Sequence, residues 1–237
     1  IRAILFDGMP RARHKTAVLA YVGIPEQASP QHPVPGIVLL HGGFGHAFKQ
    51  WVKMWLDHGY AAIAFDNTGY FPEKRDASDA QWRFGLPERW NDGSAYVNAP
   101  DNDSMRTCDD ALGEMWMYHA VAQTILAGNI LGGNPCVDKE GIGVTGISWG
   151  GVIASIAIGY DNRFAFAVPV YGSGHLEKAH TWIKDCFASE AARAKWSAAD
   201  RFDRVKMPVL WQCWNEDSCF SINSNSLSYM DTAQNNA

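Results

Sequence analysis

Residues Gly146-Ile147-Ser148-Trp149-Gly150 follow a short apolar run at 141–145 and lead into an apolar stretch with helical spacing. A serine on such a sharp strand-to-helix turn takes strained backbone angles, and glycines two positions to either side leave room where a side chain would clash. Its hydroxyl is then presented at a helix N-terminus, where N–H groups and the helix dipole favour developing negative charge. The pentapeptide alone occurs often by chance. Its position between a strand and a helix makes it a nucleophile elbow with Ser148 as the nucleophile.

Well upstream, Gly36-Ile37-Val38-Leu39-Leu40 reads as an apolar strand running into His41-Gly42-Gly43-Phe44-Gly45. Residues 47–58 then have helical spacing, with Trp51, Met54 and Trp55 on one face. Glycines in the loop let the main chain approach a substrate closely. In a serine hydrolase of this layout, one oxyanion-hole N–H comes from that loop and the other from the residue after the nucleophile. These positions are Gly43, with Phe44 as the alternative, and Trp149.

The chain has 237 residues, 47% of them hydrophobic, and no long polar tract, which suits one domain with a substantial core. A net charge of −5 and a pI near 5.9 argue against a nucleic-acid partner. No apolar run reaches the roughly 18 to 20 residues of a membrane span. Cys108, Cys136, Cys186, Cys213 and Cys219 are scattered without zinc-ligand spacing, so they read as free or buried thiols and no metal site is expected. The sequence opens at Ile1 without a signal-peptide pattern, as expected of a processed or partial chain.

Strand-like and helix-like segments alternate, which predicts an α/β fold with a mostly parallel sheet and helices on both faces. Strands are expected at 17–22, 36–40, 61–65, 141–145, 164–170 and 208–213, and helices at 47–58, 109–127, 149–159 and 218–230. Two segments break the rhythm. Residues 68–106 form a long polar and aromatic connection holding Tyr70, Trp82, Phe84, Trp90 and Tyr96, and 175–203 reads as a helical insertion. Both are expected over the carboxyl ends of the strands, where open α/β sheets bind ligands. Tyr70, Trp82 and Trp90 are candidate substrate contacts, since aromatic rings stack on the apolar faces of sugars; a lid's own hydrophobic cluster is the alternative.

With these segments in place the chain resembles the α/β-hydrolase superfamily, and more narrowly its acetylxylan esterase and dienelactone-hydrolase-like branch. The resemblance is carried by Val34-Pro35-Gly36 through Gly43, Gly59-Tyr60-Ala61-Ala62-Ile63-Ala64, Gly143 through Gly151, Asp161-Asn162-Arg163-Phe164 and Pro169-Val170-Tyr171-Gly172. It implies a serine esterase that removes acetyl or other small acyl groups from carbohydrate through an acyl-enzyme. It implies neither a metal nor an organic cofactor, and it leans toward a secreted or periplasmic location. Dienelactone-hydrolase-like or peptidase-like hydrolysis, and a non-catalytic hydrolase-like binding module, are the alternatives.

The superfamily orders its triad as Ser, then Asp or Glu, then His. The segment 206–213 leads into Trp214-Asn215-Glu216-Asp217, which resembles the acid turn of related esterases and puts Asp217 on the acid position, with Glu216 as fallback. Trp214 stands where those enzymes carry glycine. No histidine follows Asp217, and all eight in the sequence precede it. The resemblance therefore implies an α/β-hydrolase domain lacking its C-terminal strand and histidine loop, with the base beyond residue 237.

Other polar residues have structural readings. His41 is expected to support the oxyanion loop by hydrogen bonding, and His119 to be a satisfied core histidine on a helical face with Leu112, Trp116 and Leu126. Asp66 reads as a loop-ordering carboxylate, Asp217 alternatively as a helix cap, and His175 and His180 in the insertion as surface residues, with lining of a pocket as the alternative.

Overall fold

The computed structural model describes residues 1–43, 45–69, the backbone of 96–97, and 111–233. Phe44, Tyr70, Trp82, Phe84, Trp90, Cys108 and the side chain of Tyr96 lie outside the described residues. The elements are β1 (Arg2–Asp7), β2 (Lys15–Gly23), β3 (Val34–Leu40), α1 (Lys49–Asp57), β4 (Ala61–Phe65), β5 (Tyr96–Val97), α2 (Trp116–Gly132), β6 (Val137–Ile147), α3 (Trp149–Ala157), β7 (Phe166–Val170), α4 (Ile183–Cys186), α5 (Glu190–Trp196) and α6 (Ile222–Ala233). Short 3₁₀ turns lie at Leu112–Glu114, Leu176–Lys178 and Ala199–Arg204.

The main sheet runs β1-β2-β4-β3-β6-β7, and β5 pairs with β2. β4, β3, β6 and β7 are parallel neighbours, while β1 and β2 join at one edge in antiparallel register. Parallel strands need both faces covered, and the alternation along β3 shows how. Ile37 and Leu39 pack with Val52 of α1 on one face; Val38 and Leu40 join the larger cluster containing α2 and α3 on the other. Every residue of α3 is buried. The fold is that of an α/β hydrolase, with β3, β6 and β7 delivering their carboxyl ends side by side.

Several sequence expectations shift. β1 was not expected; its polar ends, Arg2 and Asp7, hide a half-buried middle that pairs with β2. The helix expected from residue 109 starts at Trp116, because Leu112–Glu114 forms a separate 3₁₀ turn that leaves Leu112 exposed rather than on the His119 face. On α1, Val52 is buried and Met54 is exposed, so the apolar face is Trp51, Val52 and Trp55. The strand expected at 208–213 contributes only two parallel bridges to β7, Ala167 with Val209 and Val170 with Gln212. Residues 175–203 hold α4, α5 and 3₁₀ turns, as a helical insertion requires.

Candidate active site

Ser148 occupies the turn between β6 and α3 with φ 57° and ψ −123°, outside the regions an L-residue adopts easily. Its N–H donates to the carbonyl of Val170 at the end of β7 (2.9 Å), and its carbonyl accepts the N–H of Val152 to open α3 (3.1 Å). The neighbouring glycines are sterically required. A Cβ on Gly150 would stand 2.6 Å from the His41 carbonyl and press on that of Leu40, and one on Gly146 would collide with the Gly150 backbone. The elbow is therefore wedged against the end of β3, and Gly42 lies directly beside Ser148.

The loop after β3 is held from within. His41 is 1% exposed; its Nδ1–H donates to the Gly42 carbonyl (2.7 Å), and its Nε2 accepts the Asn67 N–H (3.0 Å). That pattern fits a neutral imidazole. Burial lowers its pKa below the ordinary 6.5, opposed by nearby Asp66 and the Gly42 carbonyl and reinforced by His46. Asp66 orders its own turn, its Oδ1 accepting the Thr68 N–H (2.9 Å) and hydroxyl (2.8 Å). Gly43 follows this anchored segment, half-buried.

Trp149, 6% exposed, carries the other expected oxyanion N–H. Its ring is the hub of an aromatic cluster, with ring centroids 5.7 Å from Trp116, 6.0 Å from Trp182 and 6.3 Å from Phe220. Phe220 connects to the acid turn, since its N–H and that of Cys219 both donate to Oδ1 of Asp217 at 2.8 Å. Oδ2 of Asp217 makes no hydrogen bond among the described residues, while Glu216 is exposed. Asp217 thus caps its loop with one oxygen and keeps the other open. Ser148 and Trp149 follow the carboxyl end of β6 and Gly43 that of β3, while Asp217 follows the segment that bridges β7 and connects to Trp149 through Phe220.

Four aromatic and amide contributors were given no role at the site from the sequence. Asn67 braces His41, Trp116 bridges Asn67 and Trp149, and Trp182 of the insertion stands 48% exposed against Trp149. Trp214, 59% exposed, meets edge-on the ring of Tyr171, whose φ of 35° is a second strained backbone at the site. Asn67 had one sequence signal, its place directly beyond the apolar run 61–65. The contacts of Trp182 and Trp214 depend on how the insertion folds back, which no local pattern records.

His119 is fully buried, but only half satisfied: Nε2 donates to the Gly113 carbonyl (2.7 Å) and Nδ1 has no partner among the described residues. His175 corrects the surface expectation. Its side chain is only 18% exposed because Nε2 meets Asp231 on α6 at 2.6 Å and Nδ1 faces Glu177 at 3.6 Å; His180 is exposed as expected. Among the described residues, Cys136, Cys186, Cys213 and Cys219 are free, and no group of three potential ligands could hold a metal ion. No helix among them is long and apolar enough to cross a membrane. A cavity of about 410 Å³, lined by Gly128, Gly132, Ile142, Arg163 and Phe164 among others, lies at the opposite end of β6 and contains none of these site residues.

The fold and the elbow define an α/β hydrolase. Residues 18–236 match the profile of the dienelactone hydrolase family, and the chain belongs to that family. Solved structures agree on the fold. Acylaminoacyl peptidase from Pyrococcus horikoshii superposes with a TM-score of 0.68 at 17% identity, over 99% of this chain and 35% of the peptidase chain. Acetyl xylan esterase from Paenibacillus sp. R4 gives 0.66 at 18% identity, over 98% of this chain and 78% of the esterase. Acetyl xylan esterase 1 from Thermoanaerobacterium sp. JW/SL YS485 gives 0.67 at 16% identity, over 97% and 78%. The chain thus spans about a third of the peptidase it matches. No curated protein sequence matches it significantly.

Proposed function

We propose that this chain is the hydrolase domain of a serine esterase that removes acetyl or other small acyl groups, with carbohydrate esters as the substrate class. Ser148 attacks the ester carbonyl. The N–H groups of Gly43 and Trp149 hold the tetrahedral oxyanion; its collapse breaks the ester C–O bond, the base returns the serine proton to the departing alcohol, and water then attacks the acyl-enzyme to release the acid and restore the serine hydroxyl. Asp217 orients the imidazole base through its open Oδ2, in the acid role of the Ser-acid-His arrangement of this superfamily.

The observation that carries this reading is the strained Ser148, which has φ 57° and is wedged beside Gly42 at the end of β3. Strain of that kind persists where it serves chemistry, and a binding module has little use for it. The carbohydrate component rests on Trp182 and Trp214, two part-exposed indoles anchored on Trp149 and Tyr171 beside the serine. Peptidase-like hydrolysis finds no comparable support among the described residues.

The test is an ester panel on the complete gene product with Ser148→Ala alongside. Acetylated saccharides and small aryl acetates should be turned over by the parent and not by the variant. Trp182→Ala should reduce the saccharide rate more than the aryl acetate rate. Turnover equal in parent and Ser148→Ala ends the esterase reading. The 2.6 Å His175–Asp231 pair favours one alternative base. Loss of turnover in His175→Gln, with activity surviving replacement of any later histidine, would move the base there.

A further inference from the structure

Asn67 lies two residues past β4 and is 1% exposed. Its N–H donates to Nε2 of His41 (3.0 Å), its Nδ2 donates to the His41 carbonyl (2.9 Å), and its own carbonyl accepts the indole N–H of Trp116 (2.6 Å). One residue therefore grips both the ring and the main chain of His41, which leads into Gly42-Gly43, and also Trp116, whose ring meets that of Trp149 edge-on at 5.7 Å. The two expected oxyanion donors, on Gly43 and Trp149, come from the ends of different strands, β3 and β6. Backbone pairing of those strands stops at Leu40 and Gly146, before either donor. Something beyond the sheet has to set their separation.

We propose that Asn67 is the positioning residue of the oxyanion hole, fixing the Gly43 N–H relative to the Trp149 N–H through His41 on one side and Trp116 on the other. The inference rests on the esterase reading above. The amide itself shows what its orientation serves. Oδ1 of Asn67 is buried with no hydrogen-bond partner among the described residues, so the side chain is turned to place its donor on the His41 carbonyl while its acceptor goes unpaired there. Leaving a buried acceptor unpaired opposes stability, which points to the gripped loop as the beneficiary. His41 is matched to the same task. Its Nδ1–H is committed to the Gly42 carbonyl, leaving Nε2 to accept from Asn67, so the ring acts as a rigid spacer between β4 and the glycine loop.

Oxyanion-hole geometry acts on the transition state more than on bound substrate, which separates this role from simple packing. In the complete gene product, wild type and Ser148→Ala are first compared on an aryl acetate. No difference between them ends the esterase reading, whatever Asn67 does. With turnover established, Asn67→Ala should lower kcat by about 10- to 100-fold with KM changed by less than about twofold. Affinity for a methylboronic acid, which forms a tetrahedral adduct on the serine, should fall by a similar factor. Trp116→Phe, which keeps an aromatic ring and deletes the indole N–H, should act in the same direction. The double variant should lose less than the product of the two single losses, because both break one network. Unchanged kcat and boronate affinity, a loss confined to KM, or fully multiplicative losses would each overturn the proposal. Failure of both single variants to fold would overturn it as well, by assigning the network to stability alone.

Discussion

A β-carbon on Gly42 would stand 3.1 Å from Cβ of Ser148, 3.6 Å from its Oγ and 3.0 Å from the carbonyl of Ile147. The glycine loop and the nucleophile thus share one space, and the Ile147 backbone cannot yield without disturbing the elbow. Gly42→Ala should therefore displace Ser148 or the loop. The expected outcome is a loss of at least about 100-fold in kcat/KM, since a displacement of order 1 Å suffices for that, with destabilisation of about 1–3 kcal/mol from overpacking. Parallel measurement of turnover and thermal melting checks both. A fully active alanine variant would show that the loop is free to move away.

The strain at Ser148 separates chemistry from folding. Alanine keeps a β-carbon at φ 57°, so Ser148→Ala should melt close to the parent while losing turnover by several orders of magnitude. Glycine removes the β-carbon, and relief of strain offsets its larger entropy loss, so Ser148→Gly should be as stable as the parent or more stable by about 1 kcal/mol. It should be equally inactive. If the glycine variant melts clearly below the alanine variant, the turn is not strained in solution.

Much of this site was legible because its parts are local. Glycine spacing around Ser148 and the apolar run before it specify the elbow, and residues 36–43 specify a strand ending in a close-approach loop. Ala61–Phe65 was read to the residue because all five side chains are buried and the run has no polar ambiguity. What escaped was tertiary. β1 carries too little hydrophobic signal to be seen without its partner β2. Residues 208–213 look like a strand, but Val209 alone is buried there, and the segment makes two bridges rather than a ladder. Asn67 is a polar residue whose meaning comes entirely from His41 and Trp116, distant in sequence and adjacent in space.

Asp217 offers two readings that one pair of variants separates. Its Oδ1 accepts two backbone N–H groups at 2.8 Å, a structural role, while Oδ2 is free to orient an imidazole. Asn can keep the Oδ1 contacts but loses the charge. Asp217→Asn should retain nearly the parent melting temperature and lose about 10³- to 10⁴-fold in kcat, as removal of the charge from a Ser-His-Asp triad does. Asp217→Ala should lose activity and also about 1–2 kcal/mol of stability, because two loop N–H groups go unsatisfied. An asparagine variant with near-parental turnover would leave Asp217 as a loop cap only and move the acid to Glu216.

Stability should fall as the medium becomes acidic, and the sign follows from two buried histidines. Burial is the leading cause of lowered pKa at both His41 and His119. At His41 the Gly42 carbonyl and Asp66 oppose it and His46 adds to it; at His119 the Gly113 carbonyl and Glu114 oppose it and Arg11 adds to it. Each ring therefore stays neutral in the folded chain below pH 6.5, the ordinary value, where the unfolded chain already takes up a proton. The unfolded state binds more protons in that window, so stability is fully present above the ordinary pKa and is lost as pH falls toward the folded pKa. The local cause at His41 is concrete, since a proton on Nε2 would point an N–H at the N–H of Asn67. Urea midpoints measured at about pH 7.5 and about pH 5 should be lower at the acidic value. His119→Gln should remove part of the difference and leave the His41 share. A midpoint that is unchanged or higher at the acidic value would mean that His41 is not held neutral, and its bond from Asn67 would need to be reassigned.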